Sequence, residues 1–264
     1  VVSPARCSPD SRHLDHYIDE SSIMVPIKKE AKAAARTDLA HKAYMGMREM
    51  LMYNEILPGQ KIKYQDLADR LGVSITPVIH ALKWLEFKNV VRYEHNKGYY
   101  VNESDPDEIA EIYETRAVLE VAILPKTITN LDDDGLARLK DALEGFREKV
   151  KKGDYYGRLI SDMKFHYTLA SLSRSRIQLR ILEELFDLLF LRYSHNLVIT
   201  SISESSLREH EKIYDSLVSK NLSDLQEAVS SHLGNVKDHI VESLERISVK
   251  QRESVFDFQS LEND

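Results

Sequence analysis

The run Leu67-Ala68-Asp69-Arg70-Leu71-Gly72-Val73-Ser74-Ile75-Thr76-Pro77-Val78 decides how the first third of this chain is read. Leu67 and Leu71 are four residues apart, which puts both side chains on one helical face, and Gly72 accepts the left-handed backbone that ends a helix. Gly72-Val73-Ser74 makes a tight turn. After it Thr76 is expected as an N-cap and Pro77 as the first helical residue, where a missing N–H costs nothing. Val78, Ala81, Leu82 and Leu85 then share one face. A short helix over Tyr64 to Leu71 thus joins a second through a glycine-containing turn, the pattern of a helix-turn-helix.

Upstream, Leu39, Tyr44, Met47 and Leu51 recur at helical spacing, predicting a helix from Leu39 to Asn54 that Pro58-Gly59 stops. Downstream, Val90-Val91-Arg92-Tyr93 and Tyr99-Tyr100-Val101 are β-rich and flank Glu94-His95-Asn96-Lys97-Gly98, a hairpin with glycine in the turn. Three helices and a hairpin make a winged helix-turn-helix over residues 36–103. Beyond Ser104-Asp105-Pro106 the β-signals stop, and six helices are expected: Asp107 to Asn130, Asp132 to Lys152, Tyr155 to Leu172, Arg176 to Val198, Glu204 to Lys220 and Leu222 to Ile247. The fold class expected is mainly α, with an all-helical antiparallel bundle over residues 104–250. Residues 1–35 and 251–264 lack periodicity and are expected to be disordered; Val1 to Ile23 has no secretory-signal pattern, and Met24 is a more conventional beginning.

Composition narrows the function classes. A length of 264 residues suits two domains, and 42% hydrophobic with 30% charged residues is a globular composition. The longest apolar runs are broken by Glu183, Glu184 and Asp187, so no membrane-embedded segment is expected. Cys7 is the single cysteine, which excludes an intrachain disulfide framework and a cysteine-based zinc site and fits a reducing cytoplasm. The net charge of -7 is unevenly spread: residues 36–103 hold ten Lys and Arg against eight Asp and Glu, whereas residues 104–264 hold 21 against 30. Such asymmetry fits a small DNA-reading module joined to an acidic partner domain.

Leu57-Pro58-Gly59-Gln60-Lys61-Ile62, the helix-turn-helix run and Ala81-Leu82-Lys83-Trp84-Leu85-Glu86 together resemble the GntR family of bacterial transcription regulators. Glu114-Thr115-Arg116-Ala117-Val118-Leu119-Glu120 and Asp162-Met163-Lys164-Phe165-His166 resemble the FadR-type effector domain called FCD, in its six-helix, VanR-like branch. The likeness runs from about Thr37 to Ile247. It implies a cytoplasmic, nucleoid-associated regulator that acts as a homodimer on a palindromic double-stranded operator, under a small carboxylic acid effector.

For the DNA module, Ser74, Ile75, Thr76, His80 and Lys83 lie on the recognition-helix face left over after core packing, where side chains reach base edges. His95, Lys97 and Gly98 form the wing tip, and Lys61 and Lys63 are candidate phosphate contacts. The chain departs from the family's usual Ser-Arg-Thr-Pro-Val-Arg-Glu-Ala, having Ile75, Ile79 and His80 where Arg, Arg and Glu are usual. Loss of two arginines predicts either a more A·T-rich operator, with Ile75 against a thymine methyl, or weaker DNA binding.

For the helical domain, Asp162 and His166 are four apart on one face, and the resemblance adds His210 and His232 from later helices as co-ligands of one divalent ion. One carboxylate and three imidazoles suit zinc first, with nickel or manganese as alternatives. Arg116 is the family-like partner for an effector carboxylate, with a salt bridge to Glu120 as its structural alternative; Arg192 and Tyr193 are further candidates for the effector cavity. Two other readings remain at this stage. One is a metal-dependent hydrolase or lyase, and the other a ligand-binding module that has lost DNA binding.

Overall fold

The structure is a computed structural model that describes the backbone of residues 31–193 and 203–261 and the side chains of residues 38–191 and 205–246. Expectations placed on residues 1–30 and on the segment after Tyr193 up to residue 202 lie outside the described residues.

Helix α1 (Ala31–Met52) is followed by α2 (Tyr64–Leu71) and α3 (Ile75–Phe87), then by strands β1 (Val91–Glu94) and β2 (Gly98–Val101). Gly72 ends α2 with φ 63°, its N–H turned back to the carbonyls of Ala68 and Asp69, as the sequence requires. The start of α3 differs from expectation. Ser74 rather than Thr76 is the extended N-cap residue, so the helix begins at Ile75 and Pro77 falls third, still within the turn whose N–H groups have no helical acceptor. The antiparallel hairpin pairs Val91 with Val101 and Glu94 with Gly98. Its inner edge is closed by the segment before α2: Ile62 N–H donates to Tyr99 O at 2.9 Å and Val101 N–H to Gln60 O at 3.0 Å.

The second half is α4 (Pro106–Asn130), α5 (Asp133–Lys152), α6 (Tyr155–Ser171), α7 (Arg176–Tyr193), α8 (Ser203–Val218) and α9 (Leu222–Leu261). Three aspartates start the first three of these helices. Asp105, Asp132 and Asp154 accept from the backbone N–H of Asp107, Gly135 and Gly157 at 3.0, 2.8 and 2.8 Å, satisfying donors that a helix start leaves orphaned. Packing of α4 on α9, α5 on α6 and α8 on α9 encloses a core of Ile109, Leu139, Phe165, Leu169, Ile213, Leu225, Val229 and Leu233. Two helices extend into stretches expected to be disordered. Helix α1 begins at Ala31, within the expected N-terminal extension, and α9 runs on through residue 251 to Leu261.

The winged-helix core of Met47, Leu51, Val78, Leu82, Leu85 and Val101 does not close on itself. Phe190 and Leu191 of α7 complete it, with Tyr156, Ile160 and Met163 of α6 packed against its margin. No described helix is long and apolar enough to cross a membrane.

Candidate metal centre and nucleic-acid interface

Helix α6 presents Asp162 and His166 on adjacent turns of one face, α8 supplies His210 and α9 supplies His232. One ligand atom from each of the four residues lies within 4.8 Å of all the others, so the bundle brings together the four residues expected as ligands. His166 and His210 are fully buried and His232 nearly so. The rings are packed tightly: His166 stacks on His232 with centroids 5.0 Å apart, and His210 lies between Phe146 and Phe165.

The hydrogen bonds fix which nitrogen faces the centre. His166 Nδ1 is 2.6 Å from Glu120 Oε2, His210 Nδ1 is 2.8 Å from the Ser206 carbonyl, and His232 Nδ1 is 2.8 Å from Glu209 Oε2. Each Nδ1 has an acceptor and therefore carries the proton in the neutral ring, leaving the Nε2 lone pair turned inward. The Nε2 atoms of His166 and His210 are buried without a hydrogen-bond partner. His210 Nε2 stands 3.2 Å and His232 Nε2 3.7 Å from Asp162 Oδ1. Buried nitrogens without partners are uncommon because they forfeit their hydration. A divalent ion accepting those lone pairs accounts for them, and three imidazoles with one carboxylate form a donor set that zinc, nickel or manganese accepts. The four ligand atoms already lie within 4.8 Å of one another, and donors at about 2.1 Å in a tetrahedral set stand about 3.4 Å apart, so a pair at that limit would close by roughly 1.4 Å on binding.

The electrostatics favour the same atoms. Burial alone raises the Asp162 carboxyl, but contact with His210 and His232 outweighs it and holds the pKa well below the usual range. His210 is pushed down to about 4, by burial first and then by the charge of His232. Burial also opposes a charge on His232, yet Asp162 and Glu209 together raise it. Glu120 is buried, which disfavours its charge, but His166 and Arg116 bring it to about 2.

Arg116 takes its salt-bridge role and keeps a free donor. Its Nε bonds Glu120 Oε1 at 2.9 Å within α4, and its guanidinium lies against the rings of Tyr113 and Phe186 at 5.0 and 4.7 Å. Nη2 is buried without a hydrogen-bond partner. The side chains of Arg192 and Tyr193 lie outside the described residues. Glu120, Ser206 and Glu209, which orient the three imidazoles, were not singled out as site residues from the sequence. Two signals were available: Glu120 is one turn after Arg116, and Glu209 directly precedes His210.

On the DNA-module side, Ser74, Ile75, Thr76, His80 and Lys83 are exposed at the start and along the outer face of α3, and Ile79 is half-buried. Lys61 and Lys63 are exposed beside the hairpin, and His95 and Lys97 are exposed at its tip. Lys97 Nζ is engaged by Glu94 Oε2 at 3.0 Å. Gly98 has φ 101°, and a Cβ there would lie 2.7 Å from Tyr64 Oη, so its glycine is required by the fold itself as well as by any close approach to DNA. Arg92, exposed on β1 with its guanidinium over Tyr100, is a further cation on this surface that the sequence did not single out.

Residues 39–101 match the family described as bacterial regulatory proteins, gntR family, and residues 111–235 match the FCD domain. The four clustered residues all fall within the second match. An HTH-type transcriptional regulator of Agrobacterium vitis, from the TAR-I ttuE-ttuC' intergenic region, is 30% identical over 132 residues, 49% of this chain and 77% of that protein. The regulator YdhC of Bacillus subtilis is 26% identical over 203 residues, 76% of this chain and 91% of that protein. Among solved structures, Escherichia coli McbR/YncC shares the fold at TM-score 0.65 and 21% identity, over 77% of this chain and 97% of that one.

Proposed function

This chain belongs to the GntR family of bacterial regulatory proteins, as a DNA-binding transcriptional regulator with an FCD domain, and from that premise we propose that its operator binding is controlled by a small carboxylic acid bound beside a divalent ion. The family and the relatives are transcriptional regulators, not enzymes, which sets aside the hydrolase reading. Asp162, His166, His210 and His232 would hold the ion, zinc before nickel or manganese. The observation that carries this is the clustering of three imidazoles around Asp162, each with Nδ1 engaged, and with the Nε2 atoms of His210 and His232 nearest its carboxylate.

The ion supplies an electrophilic anchor for one end of an effector carboxylate. Arg116 offers its unpartnered Nη2 to the other end, while Glu120 keeps the guanidinium oriented. In our reading two copies form a cytoplasmic, nucleoid-associated homodimer that sets two recognition helices on a palindromic operator, because paired half-sites mirror a two-fold protein axis. Ser74, Ile75, Thr76, His80 and Lys83 would face the bases, and Lys61, Lys63, His95, Lys97 and Gly98 the backbone and adjacent groove. The effector then acts through its differential affinity for the two dimer arrangements.

The test measures metal content of the purified protein, followed by zinc calorimetry on the parent and His210→Ala and gel shifts on the gene's upstream DNA. The expected result is one ion per chain in the parent and none in the variant, with operator binding that responds to carboxylic acids only in the parent. A metal-free parent whose operator binding ignores zinc would leave a regulator of a different kind.

A further inference from the structure

We infer that α7 couples the buried site to the recognition helix, with Asp187 as the positioning residue at the junction. The inference rests on the proposed metal reading for its input, and on contacts between the two halves of the chain for its path.

The path is continuous. His166 Nδ1 meets Glu120 Oε2, and Glu120 Oε1 accepts from Arg116 Nε. The Arg116 guanidinium lies 4.7 Å from the centre of the Phe186 ring on α7. Asp187, the next residue, points about 100° round that helix, toward the winged-helix half. It pairs with Arg48 through Oδ1 and with Lys88 Nζ at 2.8 Å through Oδ2, and it accepts from Tyr44 Oη at 3.4 Å. Lys88 is the C-cap of the recognition helix α3, its backbone N–H bonded to Trp84 O, and its Nζ also reaches Glu184 at 2.6 Å. One turn of α7 therefore touches the ligand-side arginine through Phe186 and the end of the recognition helix through Asp187.

This junction has the character of a switch rather than a soft contact. Arg48 is 6% exposed and also packs over Phe190, so parting it from Asp187 would leave a buried charge without its partner. Such pairs are made or broken as units, because the half-broken state is strongly disfavoured. A shift of α7 that follows Arg116 must carry Lys88 and Arg48 with it or release them. Either outcome reorients α3, which is what a two-state coupling element requires.

The chain contains one tryptophan, and it is Trp84, one turn before Lys88 and edge-on to Tyr44 with centroids 5.9 Å apart. Zinc is titrated into the full-length protein while Trp84 emission is recorded, with binding measured separately by calorimetry. We expect a saturable Trp84 change in the parent at the calorimetric midpoint. Asp187→Asn should bind zinc with the same stoichiometry and affinity yet lose that change. Lys88→Gln, which leaves the Arg48 pair intact, should do the same and serves where Asp187→Asn fails to fold. Full retention of the Trp84 change in the folded variants overturns the coupling role, as does a parent that binds zinc with Trp84 silent. A parent that takes up no zinc by calorimetry instead overturns the metal reading, and with it the input to this path.

Discussion

Glu120 and His166 meet at 2.6 Å in the buried centre of the bundle, one from α4 and the other from α6. The carboxylate has a second obligation, since its other oxygen accepts from Arg116 at 2.9 Å. A single buried acid thus sets the tautomer of an imidazole proposed to bind the ion and the posture of the arginine proposed for the effector.

Glu120→Gln tests that double role. The amide cannot hold both partners as the carboxylate does, and groups that orient metal-binding imidazoles typically contribute about 10- to 100-fold in metal affinity. Zinc calorimetry should show a loss of that order. Thermal unfolding of the metal-free variant should also show lower stability, because Arg116 is left buried beside a neutral partner. Unchanged zinc affinity would remove Glu120 from the site.

Chelation should lower the melting temperature of the parent and leave His210→Ala unaffected. An ion that binds only the folded chain adds about 2.7 kcal/mol at a free concentration 100 times its Kd, by mass action. Differential scanning fluorimetry with and without a chelator reads the difference. Equal responses in parent and variant would contradict a site that includes His210.

At a pH where His232 still carries its proton, zinc uptake should release it. The raised His232 keeps its proton further into the neutral range, whereas His210, at about 4, is already neutral there. Zinc affinity should therefore fall as pH drops through the His232 range. Metal-free stability follows the opposite shifts of the two rings. Folded His210 refuses a proton that the unfolded chain takes up below the ordinary 6.5, so its contribution is lost as pH falls from there toward about 4. His232 contributes stability that is full below the ordinary histidine range and is lost as pH rises through its raised value. Calorimetry in buffers of different ionisation enthalpy measures the released proton; a heat independent of buffer would refute its release.

At the wing, Glu94→Gln should tighten DNA binding, since it frees Lys97 from its 3.0 Å partner. One added phosphate contact steepens the log–log salt dependence by about 0.9. Lys97→Ala and Lys83→Ala should move affinity and slope the other way. Filter binding on duplex DNA across a salt series gives both quantities. A Glu94→Gln protein with parental slope would place Lys97 away from the phosphates.

Local chemistry was readable wherever the determining residues are close in sequence. Gly72 marked the turn, the Asp162/His166 spacing gave half of the four-residue cluster, and the family resemblance brought in His210 and His232. The cap at Ser74 was misplaced by two residues because Thr76 followed by proline imitates a helix start, while the extended backbone at Ser74 comes from how the turn closes. Beyond residue 250, Val255, Phe258 and Leu261 recur every three residues, a helical signal too sparse among its polar neighbours to stand out. Partners joined only by folding were also out of reach. Tyr44 and Asp187 lie 143 positions apart, and nothing in either neighbourhood names the other.

The winged-helix core that borrows Phe190 and Leu191 from α7 bears on how the protein is made and lost. A hydrophobic core finished by a distant segment cannot be completed until that segment has been synthesised, so the nascent DNA-binding half waits for the bundle with part of its interior open to water. Heating should dismantle both halves in one cooperative transition, and an excised winged helix would carry an uncovered apolar face that favours aggregation.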